Sequence, residues 1–318
     1  MGNVWQELAR TQKPFLALAP LDGVTDFVFR EIIAQTAKPD VLFTEFTNID
    51  ALVSKGYDRT ISRFRFSEIQ RPIIAQIWGT DPKNFYTVGK LIKELGFDGV
   101  DINMGCPDRA VMKIGSGASL IKNPKLTGEI IAATREGASG VPISVKTRIG
   151  INSIETKSWV GYLLEQKLDA ITIHGRTAKE LSKVPAHWDE IAKVVELRNQ
   201  ISRDTIIIGN GDIESRDEAV HAHITYRVDG VMIGRGIFSN PWLFEKISKT
   251  HTYQKSLQLL LKHTTLFCDT YPHPRAFSVM KKFFKMYVKA FPGADELKKQ
   301  LMATKTLREV EALIAPYL

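Results

Sequence analysis

The sequence predicts an α/β fold, a (β/α)8 TIM barrel followed by a small C-terminal helical domain. Three observations predict it. Eight short apolar segments recur over roughly the first 240 residues, the number and length of such a barrel, and each ends in a polar or glycine-bearing tip. Helix-like stretches separate them, as at residues 85–95 and 126–135. The repeat stops near Trp242, and the rest of the chain reads as helices alone. Alternation of this kind argues for parallel strands buried on both faces. A doubly wound open sheet is the alternative that shares it. The expected domains are 1–241 and 242–318, with the boundary falling within 241–249.

The elements run in order. Residues 15–19 form the first strand, closed by Pro20, Leu21 and Asp22, and a helix starts near Thr25 or Asp26, both good N-caps. Residues 41–44 form the second, closed by Glu45, and residues 72–75 the third, closed by Gln76. The fourth runs from Gly99 to Asn103. The fifth, 142–145, ends at Lys146-Thr147-Arg148, and the sixth, 170–173, at His174-Gly175-Arg176. The seventh, 205–208, leads to Asn210-Gly211-Asp212, and the eighth, 230–233, to Gly234-Arg235-Gly236. In a barrel these tips converge on one mouth, where barrel active sites lie.

One stretch concentrates the chemistry: Asp101-Ile102-Asn103-Met104-Gly105-Cys106-Pro107. It presents a thiol on a loop just past a buried strand, with Gly105 read as the residue that permits a tight turn. A buried structural Cys is the competing reading. The next loop carries Arg109, Lys113, Gly115, Ser116 and Gly117 and is expected to act as a basic, mobile lid. The glycine-bearing tips at 210–212 and 234–236 stand where barrels commonly bind phosphate, and Arg235 adds charge.

The chain has 318 residues and two cysteines, Cys106 and Cys268, which excludes a disulfide framework and a cysteine-rich zinc site. No metal site is expected. A reducing cytoplasm is expected, without a signal peptide or membrane span. From Trp242 onward there are thirteen Lys and Arg against six Asp and Glu, so most of the net charge of +8 lies in the tail. Lys281, Lys285 and Lys289 recur there at helical spacing, with Lys282 and Arg275 nearby. Phe284, Tyr287, Val288 and Phe291 form the apolar stripe of the same stretch. The lysine face is read either as solvated or as a polyanion-binding surface.

Taken together, these residues resemble the tRNA-dihydrouridine synthase family. The resemblance covers nearly the whole barrel. It rests on Ala19-Pro20-Leu21-Asp22-Gly23-Val24-Thr25-Asp26, Gln76, the Asn-x-Gly-Cys-Pro stretch, Lys146-Thr147-Arg148, His174-Gly175-Arg176-Thr177, Asn210-Gly211-Asp212 and Gly234-Arg235-Gly236. It implies an FMN barrel, reduced by NADPH or NADH, with a helical domain that helps bind tRNA. It further implies that Cys106 is the general acid. Pro20, Leu21 and Asp22 would lie along the flavin by their backbone, with Gln76 and Lys146 at its ring and His174 at the ribityl-phosphate side. Asn210, Gly211, Asp212, Gly234 and Arg235 would hold its phosphate tail. Asn103, Arg148 and Arg176 would serve the substrate base, and Lys281, Lys285 and Lys289 the tRNA backbone. Residues 181–185 (Leu-Ser-Lys-Val-Pro) depart from the Tyr-and-Gly pattern of many members. A monomer is expected. A small-molecule flavin reductase on the same barrel and a non-catalytic RNA-binding protein are the competing functions.

Overall fold

The computed structural model describes residues 3–271, 277–289 and 291–318. Arg275 lies outside the described residues. Nine strand segments are present among them: β1 (Phe15–Leu18), β2 (Leu42–Phe43), β3 (Thr47–Asn48), β4 (Ile73–Trp78), β5 (Gly99–Met104), β6 (Ile143–Arg148), β7 (Ala170–His174), β8 (Ile206–Asn210) and β9 (Gly230–Ile233). All pair in parallel, in the order β1-β9-β8-β7-β6-β5-β4-β2. A parallel bridge between Ala17 and Val41 joins the two ends, and the Leu18 N–H donates to the Val41 carbonyl at 3.2 Å. The sheet is therefore a barrel whose neighbours follow chain order, not an open sheet with a reversal of strand order.

β2 and β3 are two pieces of one stave. Leu42 and Phe43 pair with Ile73 and Ile74, whereas Thr47 and Asn48 pair with Ile77 and Trp78. Glu45 sits in the break between them. The other polar tips are part of the ladder itself, since Gln76, Asn103, Lys146 and His174 all lie within strands. Alternation is the cause, because every second residue of a stave points inward.

The barrel interior changes character along its axis. At the strands' N-terminal end, Phe15, Ala17, Val41, Phe43, Ile74, Ala170, Ile206, Ile208 and Met232 form one apolar cluster. Gly230 is required there, since a Cβ would stand 2.4 Å from the Phe15 ring. The helix Val4–Thr11 seals this end. Asn3 caps it, accepting from the Trp5 N–H at 3.0 Å, and the fully buried Trp5 ring lies 6.3 Å from Phe15 and 6.0 Å from Phe43. The same inward rows continue upward as Gln76, Asp101, Asn103, Ser144, Lys146, Thr172, His174 and Asn210, so the mouth end is polar.

The chain divides into two compact units, Met1–Phe27 with Pro39–Gly234 and Val28–Lys38 with Arg235–Leu318. The division falls at Gly234, earlier than the expected Trp242, because Arg235 opens a short 3-10 helix, Arg235–Phe238, that belongs with the tail. Residues 28–38, from the helix Phe27–Thr36, also belong to the second unit. Phe29 stacks on Phe283 at 5.1 Å, and His263 packs against Phe283 at 4.8 Å. This unit holds the helices Tyr253–Thr270, Phe277–Tyr287, Ala294–Ala303 and Leu307–Ile314. Phe284, Tyr287 and Val288 are buried, as their stripe predicted. Among the described residues no helix is long and apolar enough to cross a membrane.

Candidate active site

Cys106 leaves β5 on a backbone held by a chain of side chains from three strands. Asn103 Oδ1 accepts from the N–H groups of Gly105 (3.1 Å) and Cys106 (3.0 Å). Asn103 Nδ2 donates to Gln76 Oε1 at 3.2 Å, and Gln76 Nε2 donates to Asp101 Oδ2 at 2.7 Å. The other Asp101 oxygen accepts from Ser144 Oγ at 2.7 Å. Gly105 does not take the left-handed backbone that a tight turn was expected to need. Its use is close approach, since a Cβ there would stand 3.2 Å from the Thr147 carbonyl carbon.

The segment after Cys106 is not a loose lid. Asp108 caps the short helix Arg109–Lys113, and a 3-10 helix runs Gly117–Lys122. Ser116 Oγ donates to the Gly79 carbonyl at 2.9 Å, and the Ala118 N–H donates to the Cys106 carbonyl at 3.0 Å. Gly117 (φ 59°) is obligatory, because a Cβ would stand 2.7 Å from that same carbonyl oxygen. Internal pairing of its polar groups holds this segment down.

Four ionisable groups set the electrostatics of the mouth. Burial raises the Cys106 thiol above its ordinary range. The Asp108 charge adds to this, while the Asp108 backbone N–H and the Arg148 and Lys146 charges oppose it. Burial lifts the Asp101 carboxyl to about 6 against the pull of Ser144, Gln76 and Lys146. Burial lowers Lys146 to about 8, and Arg148 adds to the shift against Asp101 and Cys106. Burial likewise lowers Arg148, to about 10, with Arg176 adding to it. Among the described residues Lys146 has neither a hydrogen bond nor an ion pair. Thr172, its register partner on β7, has a buried hydroxyl with no partner. A partnerless cation beside an orphaned hydroxyl fits the anionic, hydrogen-bonding ring system of a flavin. At the β9 tip a Cβ on Gly234 would meet only Ala19 and Leu21, at 3.7 and 3.9 Å, so the backbone there is open to a ligand.

The two arginines expected at the substrate are tied to protein. Arg148 is 7% exposed. Its Nε donates to the Gly105 carbonyl (2.8 Å) and its Nη1 to the carbonyls of Thr177 (3.0 Å) and Leu181 (3.3 Å). Arg176 pairs with Asp212, donates through Nε to the Val184 carbonyl at 2.6 Å, and lies 3.2 Å from His174 Nε2. Between them they fasten the departing stretch 181–185 over the β6 and β7 tips. Asp212 also accepts from the Ala186 N–H at 2.8 Å. Asn210 donates to the Met232 carbonyl at 2.8 Å. Gly211 (φ 136°) has no room for a side chain, since a Cβ would lie 2.6 Å from that of Ala186.

At the β1 tip Pro20 is buried and Leu21 partly so. The Leu21 N–H donates to Thr25 Oγ1 at 2.9 Å, and the Gly23 N–H donates to Glu45 Oε1 at 2.6 Å. Asp22 pairs with Arg63 at 2.6 Å, and Arg63 also reaches Glu45 at 3.9 Å. Arg63 escaped sequence reading because its segment, between β3 and β4, has no strand-end signature. Asp101 could have been found, as the one acid in an otherwise uncharged buried strand. Arg235 is exposed and belongs to the second unit. There Lys281 Nζ donates to the Met302 carbonyl (2.8 Å), and Lys289 Nζ to the carbonyls of Phe238 (2.8 Å) and Ser239 (2.7 Å). Two of the three stripe lysines therefore hold helix ends, and Lys285 is exposed.

The chain is similar to known proteins over almost its whole length. The family model described as dihydrouridine synthase matches residues 17–316. A probable tRNA-dihydrouridine synthase from Staphylococcus aureus (strain COL) is 44% identical over 98% of this chain and 94% of that protein. The probable tRNA-dihydrouridine synthase 2 of Bacillus subtilis (strain 168) is 43% identical over 98% and 95%. Among solved structures, morphinone reductase in complex with tetrahydroNAD is similar with a TM-score of 0.51 at 14% identity, covering 74% of this chain and 87% of that one. Histamine dehydrogenase from Rhizobium sp. 4-9 is similar with a TM-score of 0.56 at 14% identity, covering 79% and 48%. These two likenesses show the barrel fold alone. With a family model spanning barrel and tail, and relatives matched from end to end, this chain belongs to the dihydrouridine synthase family.

Proposed function

We propose that this protein reduces the 5,6 double bond of uridines in tRNA to give dihydrouridine, with FMN as its flavin, NADPH or NADH as reductant and Cys106 as proton donor. It would do so as a monomer in the cytoplasm. The observation that carries the reading is the pairing of a protonated thiol with a partnerless lysine at one mouth. Cys106 follows β5 and Lys146 lies on β6, in register with Asn103. FMN bound at the mouth would supply the hydride.

The chain's own residues supply the rest. Burial keeps Cys106 as a thiol at neutral pH, the form that donates a proton to the carbon beside the one receiving hydride. A nucleophilic role would need a stabilised thiolate, and this environment favours the opposite. Lys146 would give counter-charge to the flavin ring, with Gln76 retaining one N–H and one lone pair toward it. Pro20, Leu21 and Asp22 would line the flavin through their backbone, His174 would face its ribityl-phosphate side, and Asn210, Gly211, Asp212, Gly234 and Arg235 would hold its phosphate. Asn103 keeps one amide proton for the base. Arg148 and Arg176 would serve the substrate indirectly, by fixing the loop above it. The basic tail, with Lys285 exposed, would meet tRNA phosphates.

The test is spectroscopic. Purified protein should be yellow, bleach with NADPH, and regain colour on addition of unmodified tRNA. Cys106→Ala should keep flavin content and NADPH oxidation while the tRNA-dependent step slows about 10²–10⁴-fold, with Cys106→Ser between. A yellow protein indifferent to tRNA would point to a small-molecule reductase, and a colourless one that binds tRNA to a non-catalytic role. Wild-type reoxidation by Cys106→Ala would remove the thiol from the mechanism.

A further inference from the structure

The hydrogen-bond chain behind Cys106 has a direction, and its two ends set it. At one end the backbone N–H groups of Gly105 and Cys106 can only donate, so Asn103 must turn Oδ1 toward them. Its Nδ2 then points at Gln76, which must present Oε1. Gln76 Nε2 is left to donate to Asp101, and an ionised carboxylate can only accept. Ser144 fills the other carboxylate oxygen, so that oxygen adds no competing direction. Asp101 and Gln76 are fully buried and Asn103 is 7% exposed, so water has little access to replace a lost partner. Either amide could be reversed by a half-turn at little steric cost. The donor-only backbone at one end and the acceptor at position 101 at the other together forbid it.

We propose that Asp101 is a positioning residue, which orients Gln76 and through it Asn103, and so holds the backbone that carries the Cys106 thiol. The carboxyl titrates near 6, so it is chiefly the acceptor-only form at neutral pH, in keeping with this role. Its consequence for turnover rests on the proposed reaction, whereas the positioning itself is read without tRNA or NADPH.

The experiment is the rate of Cys106 alkylation by iodoacetamide. It is followed by peptide mass spectrometry, so that Cys268 is counted apart, with FMN added to saturation in every sample. Asp101→Leu fills the site but offers Gln76 no acceptor, so the Gln76 amide is free to turn and Asn103 loses the partner that steadies its hold on the Cys106 backbone. Alkylation should quicken about three- to tenfold, the weight of one net hydrogen bond. Asp101→Asn, equally uncharged, keeps an oxygen that accepts from Gln76 and turns its NH2 to the Ser144 hydroxyl, which can accept. The chain stays complete, and alkylation should remain at the wild-type rate. A residue that merely fills space at 101 predicts the same rate in both variants. Wild-type alkylation in Asp101→Leu, or Asp101→Asn as fast as Asp101→Leu, would overturn the proposal. Should Asp101→Leu not fold, Asp101→Ala, which likewise removes the acceptor, takes its place under the same two criteria. Loss of the catalytic claim for Cys106 through Cys106→Ala would leave these rates unaffected.

Discussion

Replacing Lys146 with Met should stabilise the flavin-free protein and weaken its hold on flavin. Lys146 sits partly buried on β6 without a hydrogen bond or ion pair, and its pKa falls from an ordinary 10.5 to about 8. At about 1.4 kcal/mol per pH unit, keeping this ammonium charged at pH 7 costs the fold about 3 kcal/mol at most. The value of about 8 already includes the attraction of Asp101, and partial exposure of the side chain screens part of the cost. The net gain expected for Lys146→Met is therefore about 1–3 kcal/mol. Its pH dependence has a definite sign. Between about 8 and 10.5 the unfolded chain still binds the proton and the folded protein has released it, so wild-type stability rises with pH across that window. The variant lacks this rise, and its advantage should close as pH passes 10.5. Urea unfolding of flavin-free wild type and variant at pH 7, 9 and 10.5 measures it. FMN affinity should meanwhile fall about tenfold to a hundredfold with the lost charge-assisted bond. A variant no more stable at pH 7, or an advantage independent of pH, would refute the claim that Lys146 is a charge held ready for a ligand.

Other perturbations separate the parts of the molecule. Trp5→Ala should cost about 3–5 kcal/mol in unfolding experiments by opening a cavity in the sealed end of the barrel. Lys285→Glu should weaken tRNA binding evenly across sequences and reduce its salt slope by about one, leaving thermal unfolding unchanged. Lys289→Met should instead lower stability by about 1 kcal/mol, since this ammonium donates to the Phe238 and Ser239 carbonyls. The tRNA-dependent step should persist beyond the ordinary thiol value of 9.0 and decline as pH rises through the raised Cys106 pKa. Cys106→Ser should abolish that alkaline limb of a stopped-flow pH profile.

Sequence alone determined the barrel, because each stave announces itself locally. An apolar segment with a polar tip is a pattern of near neighbours, and eight of them leave few architectures open. That Cys106, Lys146 and the glycine-bearing tips stand toward the C-terminal ends of the strands was legible for the same reason. Direction and partnership were not, since they depend on residues far apart in the chain. Alternation puts Asp101 and Asn103 inward, but only the β4–β5–β6 register brings Gln76 and Ser144 to Asp101. Arg148 and Arg176 read as cations for a substrate until the fold turns donors of both to carbonyls of one loop, some thirty residues from Arg148 and eight from Arg176. Lys281 and Lys289 are indistinguishable from Lys285 by spacing, and only tertiary packing brings helix-end carbonyls to two of the three. The division at Gly234 was hidden for a related reason. Residues 28–38 join the tail through Phe29, whose partners Phe283 and His263 lie more than two hundred residues on, and no periodicity carries that distance.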